Sequence, residues 1–297
     1  MTNAPKVTTP PDLDSLWDYD HPAETEKKFR TILPEADRWG GIGYKVELLT
    51  QIARTLGLQQ RFDEAHALLD TVEPLLPKAG ETASVRYLLE RGRCYNSGQQ
   101  IDRAIPLFRE AWERADKAGL DFYSVDAAHM MAIAMPAAEK SLWNDRAVAT
   151  AETSSDPKAR RWLGSLYNNI GWSLFEEKKY DSALVMFRRA FDFRFTQGKP
   201  DQIRFAKWCV AKGLRFTNQV DAALSTQEEL QRDIESSGAE PDGFVFEELA
   251  ECHLTLGHKE KSREYFARAY TLLSQDPWLA RDEPERLARM RELSGSQ

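Results

Sequence analysis

The sequence has no apolar run that approaches the roughly 20 residues a helix needs to cross a bilayer. Its first twenty residues also lack the basic and apolar regions of a secretory signal peptide. Cysteine is scarce: Cys94, Cys209 and Cys252 are odd in number and widely spaced, which predicts reduced core thiols and no disulfide framework. These absences favour a cytoplasmic protein that does not bind a membrane.

Residue patterns that carry catalysis or bind metals are equally scarce. The five histidines include one close pair, His253 and His258, whereas metal-binding histidines on one helix face lie three or four positions apart. The stretch "WGGIGY" (39–44) has no preceding strand, so we predict a turn there and no phosphate-binding loop. No Gly-x-Ser-x-Gly motif is present, and no cysteine–histidine pair is marked as a nucleophile. The sequence therefore predicts a protein that is not an enzyme and uses no cofactor and no metal.

Net charge and length narrow the classes of partner and fold. The formal net charge is −7 and the pI about 5.5, which argues against nucleic acid as the main ligand, because phosphate binding needs a strong basic field. The 297 residues can bury a sizeable core, in one or two ordinary domains or in one elongated array. Residues 1–20, rich in proline and threonine at their start, are predicted to be a flexible N-terminal segment.

Small residues recur with a period of 39 or 40 residues through most of the chain. Aligning segments that resemble "YDSALVMF" (180–187) places one small residue in the middle of each unit and another twelve positions upstream. The middle residues are Ala65, Ala104, Ala183, Ala223 and Ser262, and the upstream residues are Ala53, Gly92, Gly171, Ala211 and Ala250. The units start near residues 46, 85, 164, 204 and 243, and a degenerate unit fits near 125.

This spacing indicates pairs of closely packed antiparallel helices. Two helices approach to about 8–10 Å only if the residues at their crossing are small, and larger apolar residues then fill the surface around the crossing. In the fourth unit, helix A is predicted over about 164–177 and helix B from about Asp181. An acid recurs where each helix B begins, where it can cap N–H groups and favour the helix dipole. The pattern predicts a helical hairpin repeated about six times.

The repeating pattern resembles the tetratricopeptide-repeat family, whose unit has about 34 residues. The fourth unit carries the family's pattern at Tyr167, Ile170, Gly171, Leu174, Tyr180, Ala183, Phe187 and Ala190. The resemblance covers roughly residues 44–277, with a period five or six residues longer than the family's. It implies an all-α fold: an α-α superhelix, or TPR-like α-solenoid, of about six hairpins.

Two further helices are predicted to cover the ends of the array. Residues 21–36 form a predicted N-terminal cap helix with Phe29 and Ile32 on one face, and residues 282–294 form a predicted C-terminal cap helix with Leu287 and Met290 inward. Arrays of this kind need polar caps for solubility. The chain after residue 20 is therefore predicted to be a single solenoid domain over residues 21–295.

The resemblance also implies that the A helices line a concave groove in which partners bind. Carrying the family's groove positions onto this sequence gives candidate partner-binding residues. They are Arg54, Arg86, Arg93, His129, Asn168, Trp172, Phe175, Trp208, Lys212 and Arg215. Our hypothesis is that Trp172 and Trp208 grip a peptide with an apolar anchor and a carboxylate, the latter near Asn168 and Lys212. The alternative is that these rings are buried as core.

The leading interpretation is a non-catalytic scaffold or adaptor that binds a protein, a peptide or its own copy in this groove. No repeat has the lysine and asparagine pattern of the family's clamp for chaperone tails, which argues against an adaptor of that kind. A second interpretation is a regulatory solenoid domain that senses a small molecule or a signalling peptide.

Overall fold

The computed structural model describes residues 9–295, without the side chain of residue 137, and all regular structure in this part is helical. The described residues divide into two compact units, one up to Trp162 and one from Leu163. The division falls where the fourth repeat begins.

The first unit contains nine α-helices among its described residues, together with three short 3-10 turns at Leu13–Leu16, Leu33–Glu35 and Glu73–Leu75. The helices are α1 (Pro22–Ile32), α2 (Ala36–Leu58), α3 (Phe62–Val72), α4 (Leu76–Ala79), α5 (Glu81–Ser97), α6 (Ile101–Lys117), α7 (Asp121–Ala134), α8 (Ala137–Thr153) and α9 (Pro157–Arg160). The hairpins are α2 with α3, α5 with α6, and α7 with α8. Helix α1 packs on α2. Within α2, Gly41 has a φ of +63° and interrupts the helix between its first residues and the remainder. The sequence predicts a turn at this place.

The second unit continues the same pattern with eight α-helices in its described part. They are α10 (Leu163–Glu176), α11 (Tyr180–Gln197), α12 (Pro200–Phe216), α13 (Val220–Ser237), α14 (Gly243–Thr255), α15 (Lys259–Leu273), α16 (Pro277–Asp282) and α17 (Pro284–Ser294). The hairpins are α10 with α11, α12 with α13, and α14 with α15, and α17 packs on α15. The all-α solenoid of paired helices predicted from the sequence is confirmed.

The small residues lie where the helices of a hairpin approach most closely. A Cβ atom at Gly171 of α10 would lie 2.6 Å from the ring of Phe187 on α11, well inside van der Waals contact. Phe187 has no exposed surface, so the glycine makes room for the ring that fills the crossing, and Ala183 is equally buried on the same helix. The regular spacing of small residues in the sequence therefore reflects the close packing of the two helices in each hairpin.

The acids at the helix B starts favour the dipole but do not cap. Asp63 and Asp181 lie in the first turns of α3 and α11, whose N-cap residues make no side-chain capping hydrogen bond. A carboxylate in the first turn is stabilised by the partial positive charge of the helix N-terminus.

Residues 11–19, within the segment that the sequence predicts to be flexible, contact the first unit in the structure. Residues 1–8 lie outside the described residues, but Leu13 is 4% exposed within a 3-10 turn. The Trp17 ring packs edge-on against Phe29, with ring centres 5.4 Å apart. The polar composition suggested flexibility, while the apolar and aromatic residues in its second half hold the segment on the first unit.

Candidate functional site

Two of the predicted groove arginines in the first unit join ion pairs that link neighbouring A helices. Arg54 Nη1 on α2 lies 3.1 Å from Glu90 Oε1 on α5, and Arg93 Nη1 lies 2.8 Å from the same oxygen. Arg93 also pairs with Asp126 on α7. Because Glu90 and Asp126 are buried, these cations neutralise internal carboxylates and are not available to a partner's carboxylate.

Arg86 of α5 is also committed within the fold. Its Nη1 lies 3.1 Å from Glu47 Oε2 on α2, and its Nη2 lies 2.6 Å from Asp14 Oδ1. The guanidinium carbon lies 5.4 Å from the centre of the Tyr123 ring on α7. Burial would lower the pKa of Arg86, but Tyr123, Asp14 and Glu47 outweigh burial and raise the pKa.

His129 of α7 lies beside Trp162, with ring centres 5.3 Å apart. Burial, the largest effect, lowers the pKa of His129 below its ordinary value, so the imidazole is neutral at pH 7. Its buried Nδ1 atom has no hydrogen-bond partner among the described residues. The side chain is therefore part of the packing of the first unit.

In the second unit, Lys212 and Arg215 of α12 share one carboxylate. Lys212 Nζ lies 2.6 Å from Glu248 Oε1, and Arg215 Nε lies 2.8 Å from Glu248 Oε2 on α14. Burial would raise the pKa of Glu248, which is 1% exposed, but the two cations outweigh burial and lower the pKa. Glu248 therefore already balances the charge of Lys212, which the sequence predicts to bind a partner's carboxylate.

Aromatic rings from α10 and α12 form a continuous surface on the second unit, which we call the aromatic surface: Trp172, Phe175, Phe205, Trp208 and Phe216. The ring centres of Trp172 and Trp208 are 5.9 Å apart, and Phe205 stacks on Trp208 at 6.0 Å. Phe175 meets Phe216 edge-on at 4.6 Å. Phe205 is 51% exposed and Phe216 is 37% exposed, whereas the other three rings are half-buried. The rings are thus held in place by packing while part of the surface faces solvent.

Two cavities adjoin the aromatic surface at the exposed ring of Phe205. The larger, of about 420 Å³, lies between α12, α13 and α14 and is lined largely by apolar groups, including Trp208, Leu230, Ile234 and Phe244. The smaller, of about 260 Å³, lies between α10, α11 and α12 and is also lined largely by apolar surface, to which Asn168 and Arg194 add polar groups. Each cavity sits between one hairpin and the next, so the two are equivalent places in successive repeats.

Arg194 of α11 is a cation that groove positions alone did not reveal. It donates to Gln202 Oε1 at 2.7 Å, to Ser165 Oγ at 2.9 Å and to Gln197 Oε1 at 3.2 Å. No carboxylate of the described residues pairs with it, and burial lowers its pKa. A Cβ atom at Gly164 would lie 2.5 Å from Arg194 Nε, so this glycine provides the space for the guanidinium.

Arg194 was missed because helix B residues lie outside the family's groove positions. The equivalent residue of the next repeat, forty positions further along, is the apolar Ile234. A cation at a position that is apolar in the next repeat was the signal in the sequence that could have identified Arg194. Asn168, a predicted site residue, lines the same cavity as Arg194. The smaller cavity thus brings Asn168, which the sequence predicts as a site residue, together with Arg194, which it does not.

The three cysteines are free and buried, and burial raises the pKa of each thiol to about 12. At pH 8 almost none of these thiols is deprotonated, and a thiol-specific reagent reaches them only when the helices open locally. We expect a maleimide to leave Cys94, Cys209 and Cys252 unmodified in the native protein and to modify all three in denaturant. Mass spectrometry of the two reactions measures this, and rapid native labelling of any of the thiols would contradict the buried positions.

No group of three or more histidine, cysteine, aspartate or glutamate side chains in residues 9–295 is arranged to hold a metal ion. None of the helices in this range combines the length and the apolar character that a membrane span requires.

Comparisons with known proteins agree with this architecture. A family model of the tetratricopeptide repeat matches residues 163–194, which span α10 and most of α11. The fold is similar to the apo form of RapI, at 10% identity over 95% of this chain and 80% of that chain, with a TM-score of 0.72. No curated protein has a matching sequence.

Two further solved structures share the fold. One is a signal transduction ATPase with a tetratricopeptide repeat sensor from Pyrococcus horikoshii, at 14% identity over 91% of this chain and 42% of that chain, with a TM-score of 0.72. The other is NprR in complex with its cognate peptide NprX, at 13% identity over 94% of this chain and 81% of that chain, with a TM-score of 0.50. The chain thus contains a matched tetratricopeptide repeat at residues 163–194 and shares the fold of these solved structures.

Proposed function

We propose that the chain is a non-catalytic, cytoplasmic interaction scaffold that binds a peptide or protein segment on the aromatic surface of the second unit. The observation that carries this proposal is the Phe205 ring, which is 51% exposed, stacked on Trp208 and placed between two cavities. Aromatic residues held in position by packing are the side chains that most often dominate binding energies. The likeness to NprR, which was solved with a peptide, supports a peptide as the ligand.

The two cavities suggest what the bound segment carries. An apolar side chain fits the larger cavity, against Trp208 and Ile234, where it removes apolar surface from water. A carboxylate fits the smaller cavity, because Arg194 has no carboxylate partner among the described residues and a guanidinium binds carboxylates through paired hydrogen bonds. The proposed ligand therefore has an apolar side chain and a carboxylate close enough to flank Phe205.

A ligand-sensing role is the second candidate function. The larger cavity, at about 420 Å³, falls within the range of roughly 300–1,000 Å³ that small-molecule sites occupy. The similar ATPase from Pyrococcus horikoshii has a tetratricopeptide repeat sensor. In this case a metabolite that occupies the cavity, without any peptide, would stabilise the fold through mass action.

Selection of peptides from a random display library on the full chain tests the proposal. We expect the enriched peptides to carry an apolar residue close to a carboxylate, and to bind the Phe205→Ala variant at least about tenfold more weakly, a loss of about 1.4 kcal/mol. Titration calorimetry with a synthetic peptide measures the affinity. The Phe195→Ala variant is the matched control, because Phe195 is 66% exposed on the same unit and lines neither cavity.

Two results would count against peptide binding at this surface. Equal affinity of the enriched peptides for the wild type and the Phe205→Ala variant would place the binding site elsewhere. A thermal shift with a metabolite panel, lost in the same variant while no peptide is enriched, would favour the sensor.

A further inference from the structure

Residues 11–19, which we call the resident segment, lie on the A-helix face of the first unit. The Tyr44 hydroxyl on α2 donates to the Pro11 carbonyl oxygen at 2.9 Å. Six residues on, Trp17 Nε1 donates to Gln51 Oε1, also on α2, at 2.9 Å. The segment is thus held at both its ends by the first A helix.

Two acids of the resident segment face cations from other helices. Asp14 contacts Arg86 of α5 at 2.6 Å and Lys158 of α9 at 2.8 Å, and Asp12 lies 3.4 Å from Lys158. Both carboxylate partners of Lys158 among the described residues belong to the segment. Burial would raise the pKa of Asp14, but Arg86 and Lys158 outweigh burial and hold it below its ordinary value.

The aromatic residues of the segment stack on a third cation. The Arg54 guanidinium carbon lies 5.6 Å from the Trp17 ring centre and 5.4 Å from the Tyr19 ring centre. The two rings stack on each other at 4.7 Å. A guanidinium over an aromatic face is an attractive cation–π contact. Arg54 and Arg86, which the groove positions of the sequence predict to bind a partner, are therefore both in contact with the chain's own segment.

The segment is attached in the manner of a bound peptide. Its regular structure is one 3-10 turn, Leu13–Leu16, and no helix of the first unit pairs with it to form a hairpin. It is held by contacts to α1, α2, α5 and α9, and none of these contacts joins the two helices of a hairpin, so its release leaves the three hairpins intact. Elements of this kind open at much lower free energy than the core of a fold.

We propose that this face of the first unit is a binding site for an acidic, tryptophan-containing peptide, and that residues 11–19 are its resident ligand. A partner segment of the same chemistry displaces the resident segment, with its carboxylates at Arg86 and Lys158 and its indole at Arg54. The proposal concerns the first unit and does not rest on the aromatic surface of the second. The resident segment reduces the apparent affinity for the partner by the fraction of molecules in which the site is open.

The test uses the full chain and a labelled synthetic peptide of residues 10–20, "PPDLDSLWDYD". A release variant carries Asp14→Asn and Trp17→Ala, which remove the ion pairs of Asp14 and the indole contacts. We expect fluorescence anisotropy to show the peptide binding the release variant at least tenfold more tightly than the wild type. Binding should weaken with added salt, since the contacts are partly ionic.

Two matched controls accompany this measurement. The Asp20→Asn variant removes an exposed acid just beyond the segment and should behave like the wild type. A peptide carrying the same two substitutions as the release variant should bind neither protein. Circular dichroism verifies that each variant is helical, and the single Asp14→Asn variant replaces the double one if the latter unfolds.

Two results would overturn the proposal. The first is equal binding of the peptide to the wild type and to a folded release variant, including no binding to either. The second is a wild-type dimer, seen by sedimentation, that dissociates when the peptide is added, because the segment would then occupy a neighbouring copy.

Discussion

Replacing Glu248 with glutamine is expected to lower the free energy of unfolding of the second unit by about 3 kcal/mol. The substitution keeps the shape of the side chain but leaves Lys212 and Arg215, each 15% exposed, without their carboxylate. Removing one member of a buried ion pair costs about 3–5 kcal/mol because the remaining charge is uncompensated. Because both cations are partly exposed, we expect the loss of unfolding free energy to lie at the lower end of this range.

Denaturant unfolding followed by circular dichroism measures this loss. The matched control is Glu229→Gln in the same unit, since Glu229 pairs with Lys207 at 2.9 Å but its side chain is 54% exposed. An exposed pair contributes about 0–1 kcal/mol, so the control variant should unfold close to the wild type. Equal losses in the two variants would show that burial does not decide the contribution of these pairs.

The Glu248 pair also makes the stability of the second unit depend on pH. The pKa of Glu248 is lower in the folded protein than its ordinary value of 4.5, so the unfolded chain binds the proton more tightly. The stabilisation is therefore fully present above pH 4.5 and is lost as the pH falls through the folded pKa. The Glu248→Gln variant should lose less stability than the wild type over this acidic range.

The hairpins were predictable because close packing restricts residue type at fixed positions. A larger residue at Gly171 of α10 would displace the Phe187 ring of α11, which is fully buried at the crossing of the two helices. A requirement of this kind repeats with the period of the array, so one sequence suffices to reveal it.

The turns within the hairpins are harder to recognise in the sequence than the helix crossings. Four of them have a non-glycine residue in the left-handed region at the same repeat position, with φ values of 60° to 61° at Gln60, Gln99, Lys178 and Asn218. The sixth has Gly257 there, at φ +77°. Glycine marks such a position in a sequence, but glutamine and lysine do not, so the repeated turn is visible only in the structure.

The candidate site was only partly predictable, since a groove position does not reveal what already binds there. Arg54 and Lys212 each have a carboxylate partner 36 residues further along, Glu90 and Glu248, on the next A helix. Cations and acids in successive repeats thus neutralise one another across neighbouring helices. Searching 36 residues downstream for an acid would have identified the carboxylate partner of each cation on the next A helix.

Truncating Phe187 to alanine is expected to lower the free energy of unfolding of the second unit by about 3–5 kcal/mol. The ring has no exposed surface, and it lies 5.2 Å from Trp172 and 6.4 Å from Phe175, centre to centre. Its loss leaves a cavity beneath the aromatic surface, so peptide binding there should weaken as well. Val185→Ala is the control on the same helix, because Val185 is 51% exposed and its truncation should cost about 0.5 kcal/mol or less.

The Phe187 ring also determines whether the Gly171→Ala substitution destabilises or stabilises the protein. In the wild type, Gly171→Ala places a Cβ atom 2.6 Å from the Phe187 ring and should destabilise the protein by about 1–3 kcal/mol. In the Phe187→Ala background the obstructing ring is gone, and alanine favours the helix over glycine by about 0.5–1 kcal/mol. Gly171→Ala should therefore become neutral or stabilising, and a double-mutant cycle by denaturant unfolding measures the change of sign. If the substitution destabilised both backgrounds equally, the small residue would be required by something other than this ring, and the reason given for the repeat's most regular feature would be wrong.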